Sequence, residues 1–171
     1  MRQDIAAAKL ANKLPNTSTL GLWLVLFPLW LKYKISGSYF AYPILPVLGK
    51  ESIAELVSAR TTYLDHMIKR VIKSTEQFVV MGAGYDTRAY DPALFEQTFF
   101  ELDHHTTQDM KKSWLAKAGV DSDHVNFVAL DFSQDDLFEK LSESGFDQNK
   151  PSVFLWEGVT LYLSESDVKK M

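Results

Sequence analysis

Apolar and polar residues alternate in different ways along this chain, and each pattern predicts a different element. Residues 14–31, between Lys13 and Lys32, carry no charge, and Leu20 to Leu31 is almost wholly apolar. Pro15, Asn16, Thr17, Ser18, Thr19 and Pro28 break up the run, which leaves its dense part short for a membrane span. Trp30-Leu31-Lys32-Tyr33 offers no small-residue cleavage site for a secretory signal. The pattern predicts a helix buried against a domain or acting as a lid, with membrane contact through residues 20–31 as the alternative. Residues 1–50 read as a helical, irregular preface that ends among Gly37, Pro43, Pro46 and Gly49.

From residue 51 the periodicity becomes regular. Ile53, Leu56, Val57, Leu64, Met67, Ile68 and Val71 recur at helical spacing and predict one helix over 51–73. Short apolar runs then predict strands at 78–81, 98–102, 125–130 and 153–156. Between them lie a helix from about 106 to 118 that stops at Gly119, and another opened by a Ser133/Asp136 capping box that runs to about Ser144. Ser164 and Asp167 signal a further helix start. Alternating strands and helices of this length imply a parallel sheet with crossover helices. The expected organisation is an N-terminal segment, 1–50, followed by an α/β domain, 51–171.

Composition narrows the class. The chain has 171 residues, 46% of them hydrophobic and 23% charged, enough for a real core. A net charge of -4 without any basic block disfavours nucleic acid as a partner. With no Cys there are neither disulfides nor thiolate metal sites, which suits a reducing cytoplasm. His66, His104, His105 and His124 form no i, i+4 pair, so no metal is expected.

The candidate chemistry sits where strands end. Val79-Val80-Met81-Gly82-Ala83-Gly84-Tyr85-Asp86-Thr87-Arg88 runs from a buried strand into a glycine turn. Gly82 and Gly84 lack a Cβ there, which lets backbone approach a ligand beyond the carboxyl ends of the strands. Asp103 follows the second strand, 19 positions after Gly84, where an acid can accept hydrogen bonds from ribose hydroxyls. Glu101 points to the same side and rivals it, and Asp103 could instead serve the amides of a helix start. Asp131, with Phe132 beside it, follows the third strand and could reach an adenine amino group or simply cap a turn. Glu157 follows the fourth strand and could face a ligand's ammonium or sulfonium. Arg60 falls on the apolar stripe of the 51–73 helix, where it needs either an anion or a structural acid.

A nicotinamide dinucleotide would fit the same glycine pattern. However, Thr87 stands at the third glycine position, and Asp86 would face the pyrophosphate at the expected helix start. S-adenosyl-L-methionine carries no phosphate and has a positive sulfonium, so an acidic turn suits it better.

Taken together, Ala59-Arg60-Thr61, Gly82 to Arg88, Phe100-Glu101-Leu102-Asp103, Leu130-Asp131-Phe132 and Glu157-Gly158-Val159-Thr160-Leu161-Tyr162-Leu163 resemble the leucine carboxyl methyltransferase family of class I enzymes. The resemblance covers roughly residues 50 to 171. It implies a Rossmann-like methyltransferase sheet and S-adenosyl-L-methionine as cofactor. It also implies O-methylation of a carboxylate or hydroxyl on a small molecule or a peptide carboxylate. Arg60 would hold the cofactor's carboxylate, Gly82 would let backbone approach its methionine part, Gly84 would also be cofactor-binding, and Asp103 would bind the ribose. Asp131 and Phe132 would hold the adenine, and Glu157, with Tyr162 near it, would line the methionine end. No catalytic residue is assigned. The family's sheet is wider than the four strands predicted here, so the chain reads as a truncated form in which much of the acceptor pocket is missing. A nicotinamide-dependent oxidoreductase and a non-catalytic remnant are the alternative readings.

Overall fold

Four apolar runs become four strands: β1 (Gln77–Met81), β2 (Thr98–Asp103), β3 (Val125–Ala129) and β4 (Ser152–Trp156). They come from a computed structural model that describes residues 4–13, 18–36, 53–94 and 96–171. The chain divides into two units, Met1–Lys13 with Val71–Met171, and Leu14–Arg70.

In the first unit all strands are parallel and their order is β3-β2-β1-β4. β1 is central and buried along its whole length, as expected for a parallel strand covered on both faces. One face of the sheet carries Val79, Met81, Phe100, Leu102 and Val128, packed with Leu137, Leu141 and Phe146. On the other face, the Phe78 and Phe99 rings lie 5.2 Å apart. The α/β sheet is therefore the one the sequence predicts, and β3 and β4 form its two edges among the described residues, with Phe154 of β4 exposed.

Register decides where function can sit. Met81 is level with Leu102 on one side and Trp156 on the other. The next residue on each strand is Gly82, Asp103 or Glu157, so the three stand side by side at one rim of the sheet. Asp103 is in turn level with Ala129, which places Leu130 and Asp131 just beyond it.

The helices follow from local signals. α1 (Ile5–Ala11) is capped by Asp4, which accepts from the Ala7 amide at 2.8 Å. In the second unit, α2 (Thr19–Ser36) contains Pro28 and exposes Leu20, Trp23, Leu24, Trp30, Leu31 and Ile35. No helix among the described residues is long and apolar enough to cross a membrane. Residues 37–52, the expected irregular end of the preface, lie outside the described residues. α3 is Ile53–Val71. Its predicted apolar stripe is only partly covered: Ile68 is buried, whereas Leu56, Val57 and Met67 are exposed.

α4 (His105–Ala118) ends at Gly119, whose φ of 61° gives the left-handed cap that the sequence signals. α5 (Leu137–Glu143) starts later than the Ser133 box predicts. Ser133 is already engaged, because its amide and hydroxyl both donate to Asp131. Asp136 caps the helix instead, accepting from the Glu139 amide at 2.9 Å. α6 (Glu165–Lys170) has the full Ser164/Asp167 capping box.

The largest departure follows β1. The glycine turn leads into single turns of 3-10 helix, Arg88–Tyr90 and Pro92–Leu94, where an α-helix start is expected. Asp86 therefore does not stand at a helix N-terminus.

Candidate functional site

The site is built on the turn after β1. Gly82 has φ 63° and Gly84 φ 44°, a region that costs a side-chain-bearing residue free energy. A Cβ on Gly82 would come within 2.2 Å of Val159 Cγ2, so this glycine also makes room for Val159. The turn is stitched to the strand beside it. The Ala83 amide donates to Leu102 O at 2.9 Å, and the Gly84 amide donates to Asp103 Oδ2 at 2.6 Å.

A cleft of about 490 Å³ opens at this rim, and Gly82, Gly84, Asp103, Asp131, Phe132 and Glu157 all line it. His104, Thr107, Val159 and Tyr162 complete part of the wall. Its volume falls within the roughly 300–1,000 Å³ usual for small-ligand sites. Arg60 is exposed on α3, in the second unit, so its role rests on the family resemblance and not on burial.

The structure separates the two rival acids of β2. Asp103 lies on the cleft, and its carboxylate accepts from the Gly84 and His104 amides. Glu101 is buried beneath the turn, where Lys111 Nζ approaches its Oε2 to 2.6 Å and the Tyr90 hydroxyl donates to the same oxygen at 3.3 Å. Burial pushes the Glu101 carboxyl up from its usual range, against the pull of the Lys111 ammonium. Burial, and after it the charge of Glu101, also pushes the Tyr90 phenol up, so the phenol stays a neutral donor.

Asp131 takes the turn-capping role that the sequence leaves open to it, at the wall of the cleft. It lines the cleft, and it also caps its own turn through the Ser133 amide (2.9 Å), the Ser133 hydroxyl (2.6 Å) and Gln134 Nε2 (2.9 Å). The hydrogen bonds from Ser133 hold its carboxyl below the usual range. A carboxylate offers about four acceptor directions, so little capacity is left for an adenine amino group.

Sequence reasoning missed the partners of the acids. Arg88, almost fully buried, pairs with Asp86 and reaches Glu157 Oε2 at 3.0 Å. It ties the glycine turn to the end of β4 and offsets two acids there. The pairing spans 69 positions in sequence, so no local pattern announces it. Thr87, the residue at the third glycine position, spends its hydroxyl on Asp4 Oδ2 at 2.5 Å.

Comparison with known proteins identifies the family. Residues 47–171 match the model of the leucine carboxyl methyltransferase family. A Mycolicibacterium paratuberculosis protein, named as a candidate S-adenosyl-L-methionine-dependent methyltransferase, is 37% identical over 121 residues, 68% of this chain and 39% of that protein. YktD of Bacillus subtilis, named likewise, is 31% identical over 128 residues, 72% of this chain and 42% of YktD. A Mycobacteroides abscessus relative with the same description is 32% identical over 135 residues, 75% of this chain and 44% of that protein. The chain thus spans about two fifths of the length of the relatives it matches.

Proposed function

This chain belongs to the leucine carboxyl methyltransferase family, and on that premise we propose that its cleft binds S-adenosyl-L-methionine in the service of methyl transfer to a carboxylate or hydroxyl oxygen. The carrying observation is Asp103. Its carboxylate is fixed by the Gly84 amide at the level where Gly82 and Glu157 also emerge. Two of its roughly four acceptor directions are taken by the backbone amides, which leaves two for a ribose diol.

The other assignments follow from position. Phe132 offers an apolar surface for a purine, and Asp131 one remaining acceptor. Glu157 gives the methionine end a negative neighbour that suits a sulfonium. When bound, the cofactor supplies an electrophilic methyl group. A carboxylate acceptor is already anionic and needs no general base, so the protein's contribution is to position the reactants and exclude water.

The nicotinamide reading fares worse on physical grounds. A pyrophosphate needs a helix N-terminus after the glycines. Here that place is held by a 3-10 turn with Asp86 and its partner Arg88. Calorimetric titration of the chain with S-adenosylhomocysteine, S-adenosyl-L-methionine and NAD tests the proposal. Saturable binding of the first two and none of NAD is expected, and tighter binding of NAD would overturn it. Radiolabelled methyl transfer from S-adenosyl-L-methionine to small carboxylate or hydroxyl acceptors, assayed with the 171-residue chain, tests the reaction.

A further inference from the structure

The underside of the glycine turn holds a buried cation that the proposed function leaves unused. Lys111, on α4, is 1% exposed. Its ammonium lies 2.6 Å from Glu101 Oε2, donates to the backbone carbonyl of Asp86 at 2.8 Å, and sits 5.4 Å from the centre of the Tyr90 ring. It thus faces one carboxylate, one turn carbonyl and one aromatic face.

Stability alone does not explain this arrangement. Burying an ammonium and a carboxylate together is costly, and a well-packed apolar pair of similar volume is commonly at least as stable. The network is also incomplete: Glu101 Oε1 is buried and has no hydrogen-bond partner among the described residues. An apolar pair would avoid both costs, but it could not donate to Asp86 O. That bond fixes the turn at Asp86, while the Gly84 amide on Asp103 fixes it beside the cleft.

We propose that Lys111 is a positioning residue for the cofactor turn: through Asp86 O it holds residues 82–86 in the conformation that aims the Gly84 amide at Asp103. Glu101 serves as the counter-charge that lets the ammonium be buried. The assignment rests on the cleft reading above only as far as ligand affinity is concerned, because the conformation of the turn can be measured without ligand.

Two variants separate positioning from bulk stability. Glu101→Gln removes the counter-charge but leaves Lys111, as an ammonium or a neutral amine, able to donate to Asp86 O. Lys111→Met/Glu101→Leu removes both charges, packs as an apolar pair and gives up that bond. Thermal unfolding, amide hydrogen exchange of residues 82–88 and calorimetry with S-adenosylhomocysteine would be measured on each. Glu101→Gln is expected to melt lower yet keep turn protection and bind within about threefold of wild type. The double variant is expected to melt close to wild type while its turn amides exchange at least roughly tenfold faster and affinity falls roughly tenfold to a hundredfold. If protection and affinity follow melting temperature across both variants, Lys111 is merely structural and the proposal fails. If the wild-type chain binds no S-adenosylhomocysteine, the cofactor reading fails, and the exchange data alone still decide whether Lys111 positions the turn.

Discussion

Replacing Asp103 with Ala is the most direct probe of the cleft. The carboxylate holds two backbone amides, Gly84 at 2.6 Å and His104 at 2.7 Å, and has two acceptor directions left for a ligand diol. A hydrogen bond to a charged acceptor is worth roughly 1.5–3 kcal/mol. Truncation removes two such bonds from the ligand, and water entering the vacated space offsets part of the loss. The net cost comes to about 2–4 kcal/mol, or roughly a 30- to 1,000-fold rise in Kd. Asp103→Asn should lie nearer to Ala than to wild type, because both carboxylate oxygens face N–H donors and an amide must turn its own donor toward one of them. Calorimetry with S-adenosylhomocysteine and with adenosine reads the effect. Both ligands carry the ribose, so both should weaken together, while Glu101→Gln leaves them within about threefold. Changes below threefold for Asp103→Ala, or a larger effect from Glu101→Gln, would refute the assignment of the ribose acid.

Three further outcomes follow from particular contacts. Gly82→Ala places a methyl 2.2 Å from Val159 Cγ2 at a φ of 63° and should destabilise the fold by about 1–3 kcal/mol; combining it with Val159→Ala should recover part of that, and an unchanged melting temperature for the single variant would contradict the packing. Asp131 has its carboxyl lowered by the bonds from Ser133, so its stabilising contribution is full above the ordinary carboxylate range and is lost as pH falls through the lowered value. Ser133→Ala should therefore melt below wild type at neutral pH and converge with it as the pH falls below the ordinary carboxylate range, and a gap that persists in acid would count against the linkage. Phe154 is exposed on the edge strand β4, so light scattering on the 171-residue chain should show concentration-dependent association that Phe154→Lys reduces, and a monodisperse wild-type chain would exclude edge pairing.

Much of this architecture was legible because its signals are local. Apolar runs mark the four strands, Gly119 ends α4, and the Ser164/Asp167 pair opens α6. The cleft was legible for a related reason: in a parallel sheet the residue after each strand falls at one rim, so Gly82, Asp103, Asp131 and Glu157 can be grouped without coordinates. What escaped depends on distant partners or on competition. Arg88 gains its meaning from Glu157, and Lys111 from Glu101 and Asp86. Ser133 looks like a helix cap until Asp131 claims it. The 3-10 turn after Gly84 likewise carries no periodic signature.

The bond from Thr87 to Asp4 has a kinetic consequence. Asp4 belongs to a short N-terminal piece that joins the sheet-bearing unit, although residues 14–70 intervene before the chain returns to it. On a ribosome the N-terminal piece emerges first but has nothing to dock on until the glycine turn has been made. The first residues must therefore stay available until late in synthesis. A bulky fusion at the N-terminus should slow maturation of the turn more than one at the opposite end, which pulse-chase proteolysis of the two fusions would detect.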